Sequence, residues 1–236
     1  MNLSEYFDRI YIVFLPERIE RIKSMEDQIR RLNLNTEKVI WFPGLRFTEA
    51  AGFPKVSVRG CVMSQYTILN QALEDGLEKV LILQEDCNLS RYFLKNQEAI
   101  LQELAVTEWD FAYLGHDQNL KKASTYFVKA DPKDKIMLTH CCAYHRRVIP
   151  RLVQLIAEGA ERSPGDPRGG PMYFDGFMNF FRSHNPEVST VMASPSLAWQ
   201  LASTSSLNPN PLERHQLLAP IFQLRRLIKN TLLSLK

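Results

Sequence analysis

The feature that most constrains the fold is a short apolar run that leads almost directly into two carboxylates. Residues 81–83 read Leu-Ile-Leu, and Glu85 and Asp86 follow after one intervening residue. A strand that is apolar at every position is typical of a parallel sheet covered by helices on both faces. Ligands of such sheets bind at the carboxyl ends of the strands. Adjacent carboxylates there can hold a hard divalent cation for a diphosphate, whereas the alternative is that Asp86 only caps a helix or lies in a solvated turn.

Apolar segments of strand length and of helix length alternate along the rest of the chain. Strands are predicted at residues 10–15, 39–42, 80–86, 109–114, 125–128, 136–139 and 188–192, and helices at 17–32, 59–77, 92–104, 148–157 and 173–181. This alternation predicts an α/β fold with a mainly parallel sheet flanked by helices. The sequence contains no G-x-G-x-x-G and no Walker A motif, so neither Rossmann-type dinucleotide binding nor a P-loop is supported.

Composition and charge exclude several functional classes. With 236 residues, 45% of them hydrophobic and 23% charged, the chain suits one globular domain with a tail. The net charge of +3 is too small to indicate nucleic-acid binding. The four cysteines show no zinc-binding spacing, and we expect them, and the neighbouring His140 and His145, to pack inside a cytoplasmic protein. The sequence shows neither the order of a signal peptide nor an apolar run of membrane-spanning length.

The end of the sequence differs from the rest in charge. We expect residues 1–207 to form the domain and residues 208–236 to form a linker followed by a basic amphipathic helix. Within residues 212–236, five basic residues stand against one acidic residue, which gives +4 and leaves −1 for the remainder of the chain. Apolar residues recur there at helical spacing from Ile221 to Leu235. Residues 220–236 can therefore lie on the inner face of a membrane, or they can pack on the domain or on a partner subunit.

Four blocks of sequence, taken in their order and spacing, carry a resemblance to one enzyme family. The blocks are, in chain order, Arg18 and Arg21 after the opening strand, Gly60-Cys61 with Ser64, the acid-pair strand at 80–86, and Asp175 with Pro-Ser-Leu-Ala-Trp-Gln at 195–200 and the serines of 203–206. Over about residues 8–207 the chain resembles glycosyltransferase family 25, the lipooligosaccharide and procollagen galactosyltransferase group.

The resemblance implies a GT-A fold and the transfer of a hexose, with galactose as the first candidate, from a UDP-sugar. It also implies a glycan or lipid-linked acceptor, as in lipopolysaccharide synthesis, and a divalent cation, Mn²⁺ before Mg²⁺. In this family the last acid of the triplet reaches the metal, so Asp86 takes that role, with Glu85 as a second ligand. An inverting reaction needs a base for the acceptor hydroxyl. Asp175 is the first candidate for the base, and Asp110 and Asp117 are weaker ones.

Donor binding is the third function that the resemblance assigns to individual residues. The residues implied in it are Arg18, Arg21, Gln84, Glu85 and Gln200. Two positions depart from the family pattern, because Gln65 stands where the family has His and Gln84 stands where it has the first acid of the triplet. These departures keep a second hypothesis open. The chain would then be a non-catalytic glycan-binding or scaffold relative that kept the fold and lost the metal site.

Overall fold

The computed structural model describes residues 1–120 and 123–201, which form one α/β unit. Its strands are β1 (Arg9–Phe14), β2 (Val39–Pro43), β3 (Lys79–Gln84), β4 (Cys87–Leu89), β5 (Phe111–Gly115), β6 (Phe127–Lys129), β7 (Cys141–His145), β8 (Thr190–Ala193) and β9 (Ala198–Gln200). Its helices are α1 (Leu3–Tyr6), α2 (Ile19–Arg31), α3 (Val56–Glu74), α4 (Arg91–Val106), α5 (Ile149–Glu161) and α6 (Phe174–His184), with a 3₁₀ helix at Thr36–Lys38.

The central sheet is mostly parallel. Within the described residues it has seven strands in the order β2-β1-β3-β7-β5-β8-β6, and β4 pairs with β9 in a separate two-stranded sheet. The strands β2, β1, β3, β5 and β8 run in one direction, whereas β7 and β6 run in the other. The predicted class, α/β with a mainly parallel sheet flanked by helices, is therefore confirmed.

The position of β3 in the sheet explains why residues 80–83 are all apolar. Leu81 and Leu83 belong to the core on one face of the sheet, together with residues from α1, α2 and α4. Val80 and Ile82 belong to the core on the other face, together with residues from α3, α5 and α6. Successive side chains of a strand point to opposite faces, so a strand with two covered faces needs apolar residues at odd and even positions alike.

The prediction of a strand at 136–139 is wrong. The strand in this region is β7, which the sequence did not predict. Leu138 has φ of 69°, which is incompatible with extended backbone, and the N–H and C=O of Ile136 bond to the side chain of Asn179 instead of to a strand. The chain extends only from Cys141, where it enters the sheet antiparallel between β3 and β5. The small side chains of Cys141, Cys142 and Ala143 are fully buried there.

The predicted domain boundary at 207/208 and the predicted tail helix lie outside the described residues. In the part of the chain that the structure describes, none of the helices is both long and apolar enough to cross a membrane. All four cysteines are free thiols.

Candidate active site

The acid pair lies where two parallel strands end side by side. Strand β3 ends at Gln84, and the next residue, Glu85, donates its backbone N–H to the carbonyl oxygen of Val13 at 2.9 Å. The Oε2 atom of Glu85 accepts a hydrogen bond of 2.6 Å from the backbone N–H of Leu15, the residue after β1. Glu85 therefore joins the carboxyl ends of β1 and β3 and fixes the position of Asp86 beside it.

Helix α2 brings an arginine from its first turn onto both carboxylates. The Nη1 atom of Arg21 lies 2.9 Å from Oε1 of Glu85 and 3.5 Å from Oδ2 of Asp86. The three side chains are largely buried, with exposed fractions of 11% for Arg21, 7% for Glu85 and 18% for Asp86. Charges withdrawn from water are costly unless they are paired, so these side chains form one electrostatic unit.

The protonation of the acid pair reflects this balance between burial and positive charge. Burial raises the pKa of Glu85 and of Asp86, and the charge of Arg21 opposes the rise at both carboxyls. The charge of Arg18, the N-cap residue of α2, also lowers the pKa of Asp86. Both arginines that the sequence assigned to the donor therefore act on the acid pair.

One oxygen atom of Asp86 has no hydrogen-bond partner among the described residues. Its Oδ1 atom is buried and accepts no hydrogen bond from any residue that the structure describes, whereas both oxygens of Glu85 already accept hydrogen bonds. Within residues 1–120 and 123–201, no group of three His, Cys, Asp or Glu side chains is arranged to hold a metal ion. A Mn²⁺ or Mg²⁺ ion at this edge would take one protein oxygen from Asp86, and its other ligands would have to come from substrate and water. Glu85 as a second ligand stays a prediction.

The small sheet formed by β4 and β9 brings Gln200 to the acid pair. Cys87, the residue after Asp86, pairs with Gln200 in the antiparallel register. The Nε2 atom of Gln200 lies 3.5 Å from Oε1 of Gln84, and the backbone N–H of Leu201 donates to the carbonyl oxygen of Asp86 at 2.7 Å. Two predicted donor-binding residues that are far apart in sequence are therefore neighbours in space.

Asp175 lies in the first turn of α6. Its Oδ1 atom accepts a hydrogen bond of 2.9 Å from the backbone N–H of Gly176, and its side chain is half-buried. Burial raises the pKa of Asp175, hydrogen bonds from the backbone of Gly176 and Leu138 oppose the rise, and the charge of Asp117 adds to it. A carboxylate at a helix N-terminus is also favoured by the helix dipole.

The thiol of Cys61 on α3 responds to the charges of both Asp175 and Asp86. Burial is the main reason why the pKa of this thiol on α3 is raised to about 12, and the charges of Asp175 and Asp86 both add to the rise. Cys61, which the sequence predicts to be a core residue, is half-buried and stands in the Gly60-Cys61 block.

The two weaker candidates for the base lie in different places. Asp110 precedes β5 and so lies at the amino edge of the sheet, opposite the acid pair, where it accepts from Arg147 at 3.0 Å and from the N–H of Ser189 at 2.9 Å. This position and these bonds give Asp110 a structural role and favour Asp175 over it as the candidate base. Asp117 follows β5, is exposed, and accepts a hydrogen bond of 3.0 Å from the N–H of Met137.

The remaining motif residues hold α3 against the loop that follows β2. The hydroxyl of Ser64 accepts from the backbone N–H of Leu45 at 2.8 Å and donates to the carbonyl oxygen of Gly60 at 2.7 Å. A Cβ atom at Gly60 would collide with the carbonyl oxygen of Leu45, so only glycine allows this approach. Gln65, which replaces the family histidine, is 1% exposed, and its Oε1 atom has no hydrogen-bond partner among the described residues.

His140 is a further member of this edge whose position the sequence did not indicate. It is completely buried where β7 begins, and its carbonyl oxygen accepts the N–H of Gln84 at 3.0 Å. The pKa of His140 is lowered to about 4, mainly by burial and to a lesser extent by the charge of the nearby His116. The ring is therefore neutral at physiological pH.

Comparison with known proteins gives only distant similarities. No family model and no curated protein matches the chain. Among solved structures, it is similar to mannose-1-phosphate geranyltransferase from Thermus thermophilus, with a TM-score of 0.45 and 13% identity over 78% of this chain and 73% of that chain. It is also similar to A197 from STIV, with a TM-score of 0.41 and 14% identity over 83% and 86% of the two chains.

A third similar structure is a glycosyltransferase involved in the glycosylation of the major capsid of PBCV-1. The TM-score is 0.39 and the identity 12%, over 78% of this chain and 94% of that chain. At these values the similarities assign neither a family nor a function, and membership of glycosyltransferase family 25 stays a hypothesis.

Proposed function

We propose that this protein is a GT-A glycosyltransferase that transfers a hexose, with galactose as the first candidate, from a UDP-sugar to a glycan or lipid-linked acceptor. The observation that carries the proposal is the unit of Arg21, Glu85 and Asp86 at the carboxyl ends of β1 and β3. A helix N-terminus with arginines in its first turn suits a diphosphate, and the carboxyl edge of a parallel sheet is where such a ligand binds.

A divalent cation, Mn²⁺ or Mg²⁺, is the proposed cofactor, and Asp86 would hold it through its unpartnered Oδ1 atom. When bound, such a cation offsets the negative charge that develops on a leaving diphosphate. Glu85 contributes by holding Arg21 and the end of β1 in place. Gln84 and Gln200, whose side-chain amides lie together at the same strand end, are proposed to contact the donor.

Asp175 is the proposed base for the acceptor hydroxyl. Because burial raises its pKa, the carboxylate is a stronger proton acceptor than an exposed aspartate. The Gly176 N–H holds its Oδ1 atom and so fixes the orientation of the carboxylate. The hydroxyl would give its proton to Asp175 while its oxygen attacks the anomeric carbon and the bond to UDP breaks, which inverts the configuration at that carbon.

The test is a screen of UDP-hexoses with the full chain, with Mn²⁺ or with a chelator. Released UDP and labelled acceptor are measured together, because transfer and hydrolysis both release UDP. We expect one donor to be used in preference to the others and Asp86→Ala to lose metal-dependent donor binding while the circular dichroism spectrum is retained. Unchanged donor affinity of Asp86→Ala in Mn²⁺ would remove Asp86 from the site.

A non-catalytic scaffold is the second candidate function, and Gln84 is the observation that favours it. An amide replaces a carboxylate at the end of β3, and the other two acidic side chains of the triplet are paired with Arg21. If calorimetry detects no nucleotide binding and no donor is turned over, the scaffold function replaces the transferase proposal. Binding of a glycan to the full chain would then be measured directly.

A lipid-linked acceptor would be reached from a membrane surface, and we propose that residues 220–236 provide a peripheral contact at its inner face. The support is the sequence alone, since these residues combine basic charge with apolar residues at helical spacing. Flotation with anionic liposomes should capture the full chain but not a chain ending at Pro211, and high salt should weaken the capture. Equal flotation of both chains, or of neither, would contradict the contact.

A further inference from the structure

A groove away from the acid pair lies between helices α5 and α6. Its volume is about 520 Å³, within the range of roughly 300–1,000 Å³ that is typical of pockets for small organic ligands. Arg151, Leu155 and Glu158, which lie on one face of α5, form one wall. Phe180 and His184, one turn apart on α6, belong to the opposite wall.

The loop that follows α5 completes the groove with Pro167 and Arg168. Arg162 holds this loop, because its Nη1 atom donates to the carbonyl oxygens of Arg168 at 2.6 Å and of Gly169 at 3.2 Å. Gly169 has φ of 92°, and a Cβ atom there would lie 3.2 Å from Cε1 of Phe180, so the loop backbone packs closely on the aromatic wall. The groove is therefore already formed in the folded chain.

The wall formed by α6 is aromatic. The rings of Phe180 and His184 are stacked, with centroids 4.0 Å apart and an angle of 23° between their planes. Phe180 is half-buried and His184 is exposed, so the pair presents a flat surface to the groove. Flat aromatic surfaces of this kind bury the apolar C–H face of a sugar ring.

The charged side chains of the groove are balanced by their neighbours. Each arginine and each glutamate that lines it forms an ion pair with an opposite charge. The pairs are Arg151–Glu187, Arg168–Asp166 and Glu158–Arg162. The groove therefore offers little net charge to attract a strongly charged ligand, and a neutral ligand suits it better than an anion.

Planar polar groups lie beside the aromatic wall. The side-chain amides of Gln154 and Asn185 line the groove, and each amide can both donate and accept. The ion pair with Asp166 occupies Nε and Nη2 of Arg168, so the Nη1 atom can donate to a ligand. Sugar hydroxyls both donate and accept, and two adjacent hydroxyls can bond to two atoms of one planar group.

We infer that this groove binds a short neutral oligosaccharide at a site separate from the proposed active site. His184 lies nine residues after Asp175 on α6, which is about 13 Å along the helix axis. Arg151 lies in the first turn of α5, which begins after β7 at the amino edge of the sheet. Binding here needs neither a nucleotide sugar nor a cation, so the inference goes beyond the proposed transfer.

The test measures oligosaccharide binding by the full chain without any donor. Lactose, maltotriose and mannotriose are the neutral probes, sulfated lactose is the anionic one, and binding is followed by nuclear magnetic resonance of the isotope-labelled protein. We expect at least one neutral probe to bind more tightly than sulfated lactose and to shift the side-chain amide signals of Gln154 and Asn185. Failure of every neutral probe to bind, or tighter binding of the anionic probe, would overturn the inference.

Two variants locate the bound sugar, each with a matched control on α4. Phe180→Ala should weaken binding about tenfold, whereas Tyr92→Ala, which removes a half-buried aromatic paired with Tyr126, should not. Gln154→Ala should weaken it about threefold. Its control is Gln102→Ala, because Gln102 is also exposed and bonds a glutamate of the same helix four residues away, as Gln154 does.

Further outcomes separate this inference from the proposed function. Asp175→Asn should bind the neutral probe as tightly as the unmodified chain does, since Asp175 is not part of the groove. If Asp175→Asn loses the probe and Phe180→Ala keeps it, the sugar binds at the carboxyl edge, so the inference fails and the proposed function does not. If Phe180→Ala does not fold, Gln154→Ala and Gln102→Ala decide the result, because both alter exposed positions.

Discussion

The two edges of the central sheet both carry carboxylates, but the carboxylates differ in what they bond to. At the amino edge, one oxygen of Asp8 accepts the backbone N–H groups of Glu78 and Lys79 at 2.7 and 2.8 Å. Asp110 accepts the N–H of Ser189 at 2.9 Å and the guanidinium of Arg147 at 3.0 Å. These carboxylates tie neighbouring strands together, and both oxygens of Asp110 are used in doing so.

At the carboxyl edge the carboxylates are withdrawn from water, and one of their oxygens is left without a partner in the described part of the chain. Burial raises the pKa of Glu85, Asp86 and Asp175, and Oδ1 of Asp86 has no partner among the described residues. A protein retains such groups against their cost when they serve a site, whereas satisfied groups such as Asp110 serve the fold. The difference shows that the role of an aspartate in this sheet, structural or functional, follows from the edge at which it lies and from its hydrogen bonds.

Among the substitutions that distinguish the two edges of the sheet, Asp175→Asn should have the largest effect. The amide cannot accept a proton from the acceptor, so transfer should fall by about 10²- to 10⁴-fold while donor affinity and the free energy of unfolding change little. The measurement is transfer rate and donor affinity on the same preparation. Asp117→Asn, at the same edge but exposed, is the control and should transfer normally. Near-normal transfer by Asp175→Asn would move the role of base to Asp117.

Lowering the pH should destabilise the folded protein through His140 at the carboxyl edge. Burial depresses its pKa from 6.5 in the unfolded chain to about 4 in the folded protein. The unfolded chain therefore takes up the proton first, and stability is lost as the pH falls from 6.5 towards 4. The loss from this one group should reach about 2 kcal/mol by pH 4.5, as measured by urea unfolding.

The buried carboxyl groups at the same edge change the stability of the protein with pH in the opposite direction. The pKa of Asp86 and of Asp175 is raised in the folded protein, so protonation removes a buried negative charge. Through these groups the folded protein becomes more stable as the pH falls. His140→Asn should therefore flatten or reverse the acid loss relative to the unmodified chain. His184→Gln, which alters an exposed histidine at the end of α6, should leave the profile unchanged. An unaltered profile in His140→Asn would contradict the assignment.

Asp110→Ala tests the structural role of the amino edge. It leaves the N–H of Ser189 without its partner and removes the carboxylate that accepts from Nε of Arg147, so the free energy of unfolding should fall by about 2 kcal/mol. Donor affinity should not change, because the site is at the other edge. Asp117→Ala, which removes an exposed carboxylate, is the matched control and should cost well under 1 kcal/mol. A loss of donor binding in Asp110→Ala would break the contrast between the edges.

The sequence predicts the edge of the sheet well and the contacts within it poorly. Leu81 to Leu83 reveal β3 because both faces of that strand are covered, and the position of Glu85 and Asp86 follows from where the strand ends. The contact of Arg21 with both acids depends on the angle at which α2 crosses the sheet, which no periodicity encodes. The predicted strand began at 109 rather than at 111, which hid the fact that Asp110 precedes the strand and lies at the amino edge.

Strand β7 shows a second limit of sequence patterns. Its residues are small or polar, Cys-Cys-Ala-Tyr-His, and lack the β-branched residues that mark a strand, whereas the more apolar stretch just before it is held by Asn179 in a non-extended conformation. The strand forms because it pairs with both β3 and β5 and buries its side chains in the two cores. These tertiary contacts leave no local signal in the sequence.

The smallest expected effect comes from Ser64→Ala, which loosens the carboxyl edge without touching a carboxylate. The hydroxyl of Ser64 is the partner of the Leu45 N–H, so its removal should cost about 1 kcal/mol of unfolding free energy. The loop after β2 begins beside the end of β1, where Gly44 donates to the carbonyl oxygen of Phe14 at 2.8 Å, so donor affinity should fall by less than about tenfold.

Thr67→Ala is the matched control, because Thr67 makes the same kind of bond one turn later, to the carbonyl oxygen of Met63 at 2.8 Å, but does not reach the loop. It should alter stability slightly and donor affinity not at all. If Ser64→Ala and Thr67→Ala behave alike in donor binding, Ser64 supports only the helix. If Ser64→Ala alone weakens the donor, the loop after β2 belongs to the carboxyl-edge site, and the Gly60–Ser64 block extends that site beyond its charged residues.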